Sequence, residues 1–170
     1  MKHDLRCGWC TSDPLYIHYH DKEWGVPLHD DDKLFEFLIL ETFQAGLSWS
    51  TILNKRENFR KAFDDFDPEK VAKYNQDKLD KLIQDKSIIR NRMKIAACVN
   101  NAKSFLKIQK EFGSFDRYIW GFVNFKPIVN TFTERNEVKF FKFIALLVKT
   151  SDENRGRLKP VLGYVREYRE

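Results

Sequence analysis

Residues 30–43 read Asp-Asp-Asp-Lys-Leu-Phe-Glu-Phe-Leu-Ile-Leu-Glu-Thr-Phe, and the spacing of their apolar members decides the fold. Leu34, Phe35, Leu38, Ile39, Thr42 and Phe43 recur at i, i+1, i+4, i+5, the stripe of a helix facing a core, while Asp30 to Asp32 supply a cap and early-helix carboxylates. Gly46 offers a break, Ser48 can cap a second helix, and Ile52, Leu53, Phe59 and Phe63 make its stripe with Lys55, Arg56 and Arg60 outside it. Asp67-Pro68 reads as a helix start. Leu79, Leu82 and Ile83 predict a short helix, Ile95 to Ile108 a longer one stopped by Gly113, and Ser114 a cap for a face of Phe115, Tyr118, Ile119 and Phe122. No alternating run is bounded by hairpin turns, so an all-α fold is expected.

Composition is consistent with one such domain. The chain has 170 residues, 42% hydrophobic and 15% aromatic, enough for a single core. Its apolar runs, Phe37 to Leu40 and Ala145 to Val148, fall far short of the roughly 20 residues of a membrane span, and no apolar segment succeeds the charged start. A soluble cytoplasmic protein without a membrane partner is expected. Three cysteines, Cys7, Cys10 and Cys98, speak against a disulfide framework and leave thiols or metal ligands. Charge is uneven: residues 1–85 hold 12 Lys and Arg against 17 Asp and Glu, residues 86–170 hold 18 against 8. A basic half suits a polyanion such as nucleic acid, although a solvated basic surface would give the same count.

The segment before the first long helix is dense in aromatics and soft ligands: Arg6-Cys7-Gly8-Trp9-Cys10, Leu15-Tyr16-Ile17-His18-Tyr19-His20-Asp21 and Glu23-Trp24-Gly25-Val26-Pro27. Each ring taken alone reads as a packing hydrophobe. The blocks taken together, with Leu40-Glu41, Gln44-Ala45-Gly46-Leu47-Ser48-Trp49, Phe66-Asp67-Pro68, Ile88-Ile89-Arg90-Asn91-Arg92 and Pro127-Ile128-Val129-Asn130 coming after them in order, resemble the type I 3-methyladenine DNA glycosylases.

That resemblance implies a helix-hairpin-helix DNA glycosylase-like bundle, monomeric, acting on double-stranded DNA with alkylated bases in base-excision repair. It implies that Glu41 accepts from the exocyclic amine of the base, that Tyr19 and Trp49 line the pocket, and that Trp9, Trp24 and Tyr16 stand close by. It places the hairpin at Leu82 to Lys94, with Arg90, Arg92 and Lys94 as phosphate ligands, and gives Gly46-Leu47 as the loop that enters the base stack. Ser87 stands where the family's turn has glycine, so a reshaped or weaker hairpin is expected. The residues alone support part of this. A carboxylate on the apolar stretch Phe37 to Glu41 needs a partner, and a cationic ligand can be one, although a solvent-facing Glu41 fits the pattern as well.

The resemblance also implies zinc, with Cys7 and His20 matching one half of the ligand set. All four histidines lie within the first 29 residues, so the second half is missing, and Cys10 and His18 could complete a local set only at a spacing foreign to zinc fingers. Motif matching covers residues 1–138, a glycosylase-like domain. Residues 139–170 read as an unmatched apolar helix, Phe140, Phe141, Ile144, Leu147 and Val148, with a basic tail. An atypical or truncated C-terminal end is expected to leave a marginal fold and reduced activity. The alternatives to a working glycosylase are a DNA-binding remnant and a small metal-binding module around Cys7, Cys10, His18 and His20.

Overall fold

A computed structural model of the chain describes residues 6, 7, 9, 10 and 13–127. The apolar helix and basic tail read at 139–170 lie outside the described residues, as does most of the Pro127 to Asn130 block. Among the described residues every regular element is helical. In order the α-helices are α1 (Pro14–Lys22), α2 (Asp31–Gln44), α3 (Trp49–Leu53), α4 (Arg56–Ala62), α5 (Pro68–Val71), α6 (Gln76–Gln84), α7 (Arg92–Phe112) and α8 (Phe115–Gly121), with a short 3-10 turn, Asp64–Phe66, between α4 and α5.

Side chains at the expected positions start these helices. Asp30 caps α2 through the Lys33 amide, Asp67 caps α5 ahead of Pro68, and Ser114 caps α8. Gly113 ends α7 in the left-handed conformation at φ 87°, where a side chain would be strained. Two points differ from the sequence reading. The Tyr16 and Tyr19 segment is itself a helix, started by Asp13 and Pro14. The stripe read as one helix from Ser48 to Phe63 is two, because the chain turns at Asn54 and Lys55 between α3 and α4.

The core lies between α2 and α7. Phe35, Ile39 and Phe43 of α2 meet Ile95, Cys98, Ala102 and Phe105 of α7, and Phe59, Phe63, Phe66 and Phe115 close the sides. Ring contacts run through it: Phe43 to Phe59 at 4.6 Å, Phe35 to Phe105 at 5.0 Å and Phe105 to Phe115 at 4.3 Å. Asp31 ties the start of α8 to the start of α2, its carboxylate accepting from the amides of Phe115 and Asp116 at 2.8 and 2.7 Å. Three consecutive non-glycine residues, Asp64, Asp65 and Phe66, have φ between 52° and 58°. That costly turn is held by burial of Phe66 and by Asp64, whose carboxylate accepts from the Tyr74 hydroxyl at 2.5 Å and pairs with Lys78 at 3.0 Å.

The turn between α6 and α7, residues 85–91, shows how Ser87 is accommodated where the resemblance implies glycine. Its φ is not positive, so no glycine is required there. Instead the Ser87 amide and hydroxyl both donate to Asp85 Oδ1, at 2.8 and 2.6 Å, and its carbonyl accepts from Lys55 Nζ at 2.9 Å. Ser87→Gly would release the unfolded chain and delete the hydroxyl contact, so it is expected to destabilise the fold by about 1 kcal/mol. Thermal melting measures this as a Tm lower by roughly 3 °C, and a raised Tm would contradict the account.

Candidate active site

Helix α1 sets two rings on its buried face, Tyr16 and Tyr19, three positions apart. Trp9 packs on Tyr16 with centroids 5.3 Å apart, on His20 at 5.1 Å, and edge-on to Trp24 at 5.3 Å. Tyr19 meets Trp49 at 5.2 Å, and Trp49 lies nearly parallel to Phe37 of α2 at 6.3 Å. A continuous aromatic row therefore runs from Trp24, 43% exposed, to Phe37. Trp49 can join it because Gly46, at φ 83°, ends α2 and Ser48 caps α3, so Trp49 is the first residue of a new helix pointing back at α1.

Glu41 lies one turn after Phe37 on the same face of α2. It is mostly buried rather than solvent-facing, and loss of hydration pushes its carboxyl up to about 7. Burial is the only cause of that shift: among the described residues, no cation or hydrogen-bond donor acts to lower it. Trp49 carries the matching deficit, because its Nε1 is buried without an acceptor. Helix α2 thus carries a desolvated carboxyl with nothing to offset it, and α3 a buried indole N–H with no acceptor. Groups in that state are expensive in a folded protein unless a ligand completes them.

A half-buried ion network stands behind the row, centred on buried Glu36. Arg56 donates to Glu23 Oε2 at 2.7 Å and to Glu36 Oε1 at 2.6 Å, Arg60 donates to the same Glu36 oxygen at 2.7 Å, and the Arg56 guanidinium stands 5.2 Å from the Phe37 ring centre. Arg60 also pairs with the exposed Glu57, so two cations serve three carboxylates, of which Glu36 is the buried one. Periodicity sets Arg56 and Arg60 outside their stripe; the structure makes them the link between α1, α2 and α4. Phe37 is a site residue that sequence reasoning misses, and the signal available is its four-residue spacing from Glu41.

Of the other sequence-derived residues, Gly46 and Leu47 form an exposed loop between α2 and α3, and Arg90 and Arg92 are exposed around the start of α7. Lys94 differs from its expected role as a phosphate ligand: its ammonium donates to the carbonyls of Phe43 and Ala45 at 2.9 and 2.5 Å. Cys7 and His20 are neighbours, but the His20 Nε2 lone pair accepts from the Cys7 amide at 3.3 Å, and Nδ1 lies 2.9 Å from Asp21. No group of three or more His, Cys, Asp or Glu able to hold a metal occurs among the described residues, and a closed zinc site wants four ligands. No helix among them is long and apolar enough to cross a membrane.

Among the described residues the chain is all-helical, with a row of packed aromatic rings, a desolvated carboxylate at Glu41 and an indole N–H at Trp49 that lacks an acceptor. The chain belongs to the methyladenine glycosylase family, whose model matches residues 9–149, past the Val138 at which motif matching ends. It is 50% identical over 133 residues to DNA-3-methyladenine glycosylase 1 of Escherichia coli strain K12, covering 78% of this chain and 71% of that protein. Among solved structures it resembles 3-methyladenine DNA glycosylase I of Staphylococcus aureus, with a TM-score of 0.83 and 39% identity, over 92% of this chain and 85% of that one. A tyrosine-to-phenylalanine variant of such an enzyme, in complex with 3-methyladenine, superposes with a TM-score of 0.80 at 39% identity, over 87% and 80% of the two chains.

Proposed function

We propose that this chain removes 3-methyladenine from double-stranded DNA by hydrolysing the N-glycosidic bond. The observation that carries this is the desolvated carboxylate of Glu41 on the helix that also bears Phe37, together with the orphaned Nε1 of Trp49, whose ring meets Phe37 and Tyr19. A base must leave the stack before an enzyme can act on it. A 3-methylated adenine in DNA is a cation, so it stacks on electron-rich rings and is attracted to Glu41, whereas adenine brings no charge to offset that carboxylate. Selection therefore operates at extrusion.

The positive base is already a good leaving group. The bond from C1′ to the base breaks with its electron pair going to the base, water adds at C1′ and releases a proton, and the base departs neutral. Little acid catalysis is needed, and no lysine adduct is formed. The helix pair α6 and α7 with its turn serves as a helix-hairpin-helix phosphate holder, Arg90 and Arg92 supply cations, and the Gly46-Leu47 loop enters the space left by the base.

Release of free 3-methyladenine from methylated duplex DNA, resolved by chromatography, tests the reading. Base release that is absent in a Glu41→Gln control supports it. Salt-sensitive DNA binding without any base release would instead identify a DNA-binding remnant.

A further inference from the structure

One ammonium joins the turn leading into α7 to the loop leading out of α2. Lys94 stands in the first turn of α7, and its Nζ donates to the carbonyls of Phe43 and Ala45, 51 and 49 residues earlier. Those carbonyls belong to the last turn of α2 and its cap, where a helix leaves acceptors without internal partners. Within α7 the position is unfavourable for a cation, because a helix start is the positive end of its dipole, and burial further lowers the pKa of this ammonium. The carbonyl end of α2 accounts for its place. Immediately beyond, Gly46 turns at φ 83° and the Leu47 amide donates back to Gln44 O at 2.6 Å. The loop is thus held by its own hydrogen bond on one side and by Lys94 on the other.

We propose that Lys94 is a positioning residue for base extrusion, fixing the Gly46-Leu47 loop against the α6 to α7 turn so that loop and phosphate contacts meet the duplex in one register. This rests on the glycosylase reading above. A phosphate ligand and a positioning residue differ in a measurable way. Removing a phosphate contact reduces the slope of log binding constant against log salt by about one, whereas removing a brace leaves the slope alone.

The test uses the full chain and Lys94→Met, which keeps most of the stem and deletes the charge. Three quantities are read: the single-turnover rate of base release from methylated duplex DNA, the salt slope of DNA binding, and the binding of free 3-methyladenine by tryptophan fluorescence. The rate is expected to fall by at least about tenfold, since small displacements of a positioned group carry penalties of that order or more. The salt slope should be unchanged, and free-base binding should stay within about twofold, because the ring row does not include Lys94. Lys94→Arg should recover most of the rate through its several donors, with Lys94→Gln between; these two carry the comparison where Lys94→Met does not fold. An unchanged rate, a slope reduced by one, or base binding that falls in parallel with the rate overturns the proposal. A wild-type chain that releases no base overturns the glycosylase reading instead.

Discussion

Glu41→Gln is expected to lower kcat/KM for release of 3-methyladenine by about 10²- to 10³-fold, the range seen when one preorganised electrostatic group is removed from a dry site, and at the same time to raise Tm. The two effects share a cause. The wild-type carboxylate is desolvated without a compensating partner among the described residues, which is why its pKa stands at about 7 instead of 4.5. An amide of the same shape carries no charge to desolvate, so the variant loses the attraction for a cationic base and the internal penalty together. Such an opposition between stability and activity is expected wherever a site is built around an unfavourable group.

The pH dependence has a definite sign. Because the folded pKa lies above the unfolded one, the folded chain binds more protons, and stability falls as pH rises from about 4.5 to about 7 and is level above that. Glu41→Gln removes this dependence, so its advantage grows across that window and reaches about 3 kcal/mol at pH 8. Activity runs the other way, since only ionised Glu41 attracts the base. In the wild type kcat/KM should rise up to about pH 7, falling by about tenfold per unit below it. Melting curves at pH 5 and pH 8 with excision rates over the same range check both halves. A variant that is less stable at pH 8, or a wild-type profile flat between pH 5 and 8, would show that Glu41 is neither desolvated nor engaged with the base.

Much of the arrangement is legible in the residues, for physical reasons that also explain the part that is not. Helical periodicity and caps at Asp30, Asp67, Ser114 and Gly113 are local signals, and the structure uses each of them. Glu41 can be singled out because a carboxylate on an apolar face is a local anomaly. Arg56 and Glu36 carry no such signal: their pairing is made across α2 and α4, and a charged residue at a helical spacing reads as solvated until its partner is known. The geometry at Ser87 is not legible for a related reason. Serine says only that a positive φ is unfavourable, whereas the two hydrogen bonds that Asp85 accepts from Ser87 fix the turn through a partner two residues away. Sequence proximity to Arg90 and Arg92 assigns Lys94 to phosphates, while the third dimension offers it two carbonyls.

Trp49 is the residue whose truncation should have the largest combined effect. Only 5% exposed, it touches both Tyr19 and Phe37, so Trp49→Ala opens a cavity at the junction of α1, α2 and α3. Loss of a buried tryptophan side chain costs about 3 to 5 kcal/mol, a large part of the stability of a domain this size, and excision should fall by at least about 10³-fold once unfolding is included. That variant alone would not separate folding from recognition. Trp49→Phe does, because it keeps a ring between Tyr19 and Phe37 and deletes the indole N–H. In the free protein that N–H has no acceptor, so its removal breaks no internal hydrogen bond and relieves a buried unsatisfied donor, a gain that offsets part of the lost ring area. Tm should therefore change little. If the donor meets the base, kcat/KM should fall by about tenfold, the worth of one hydrogen bond of about 1.4 kcal/mol in a dry site. Trp49→Phe with unchanged folding and unchanged kcat/KM would mean that the indole N–H has no ligand to meet, and the aromatic row would then be packing rather than a receptacle.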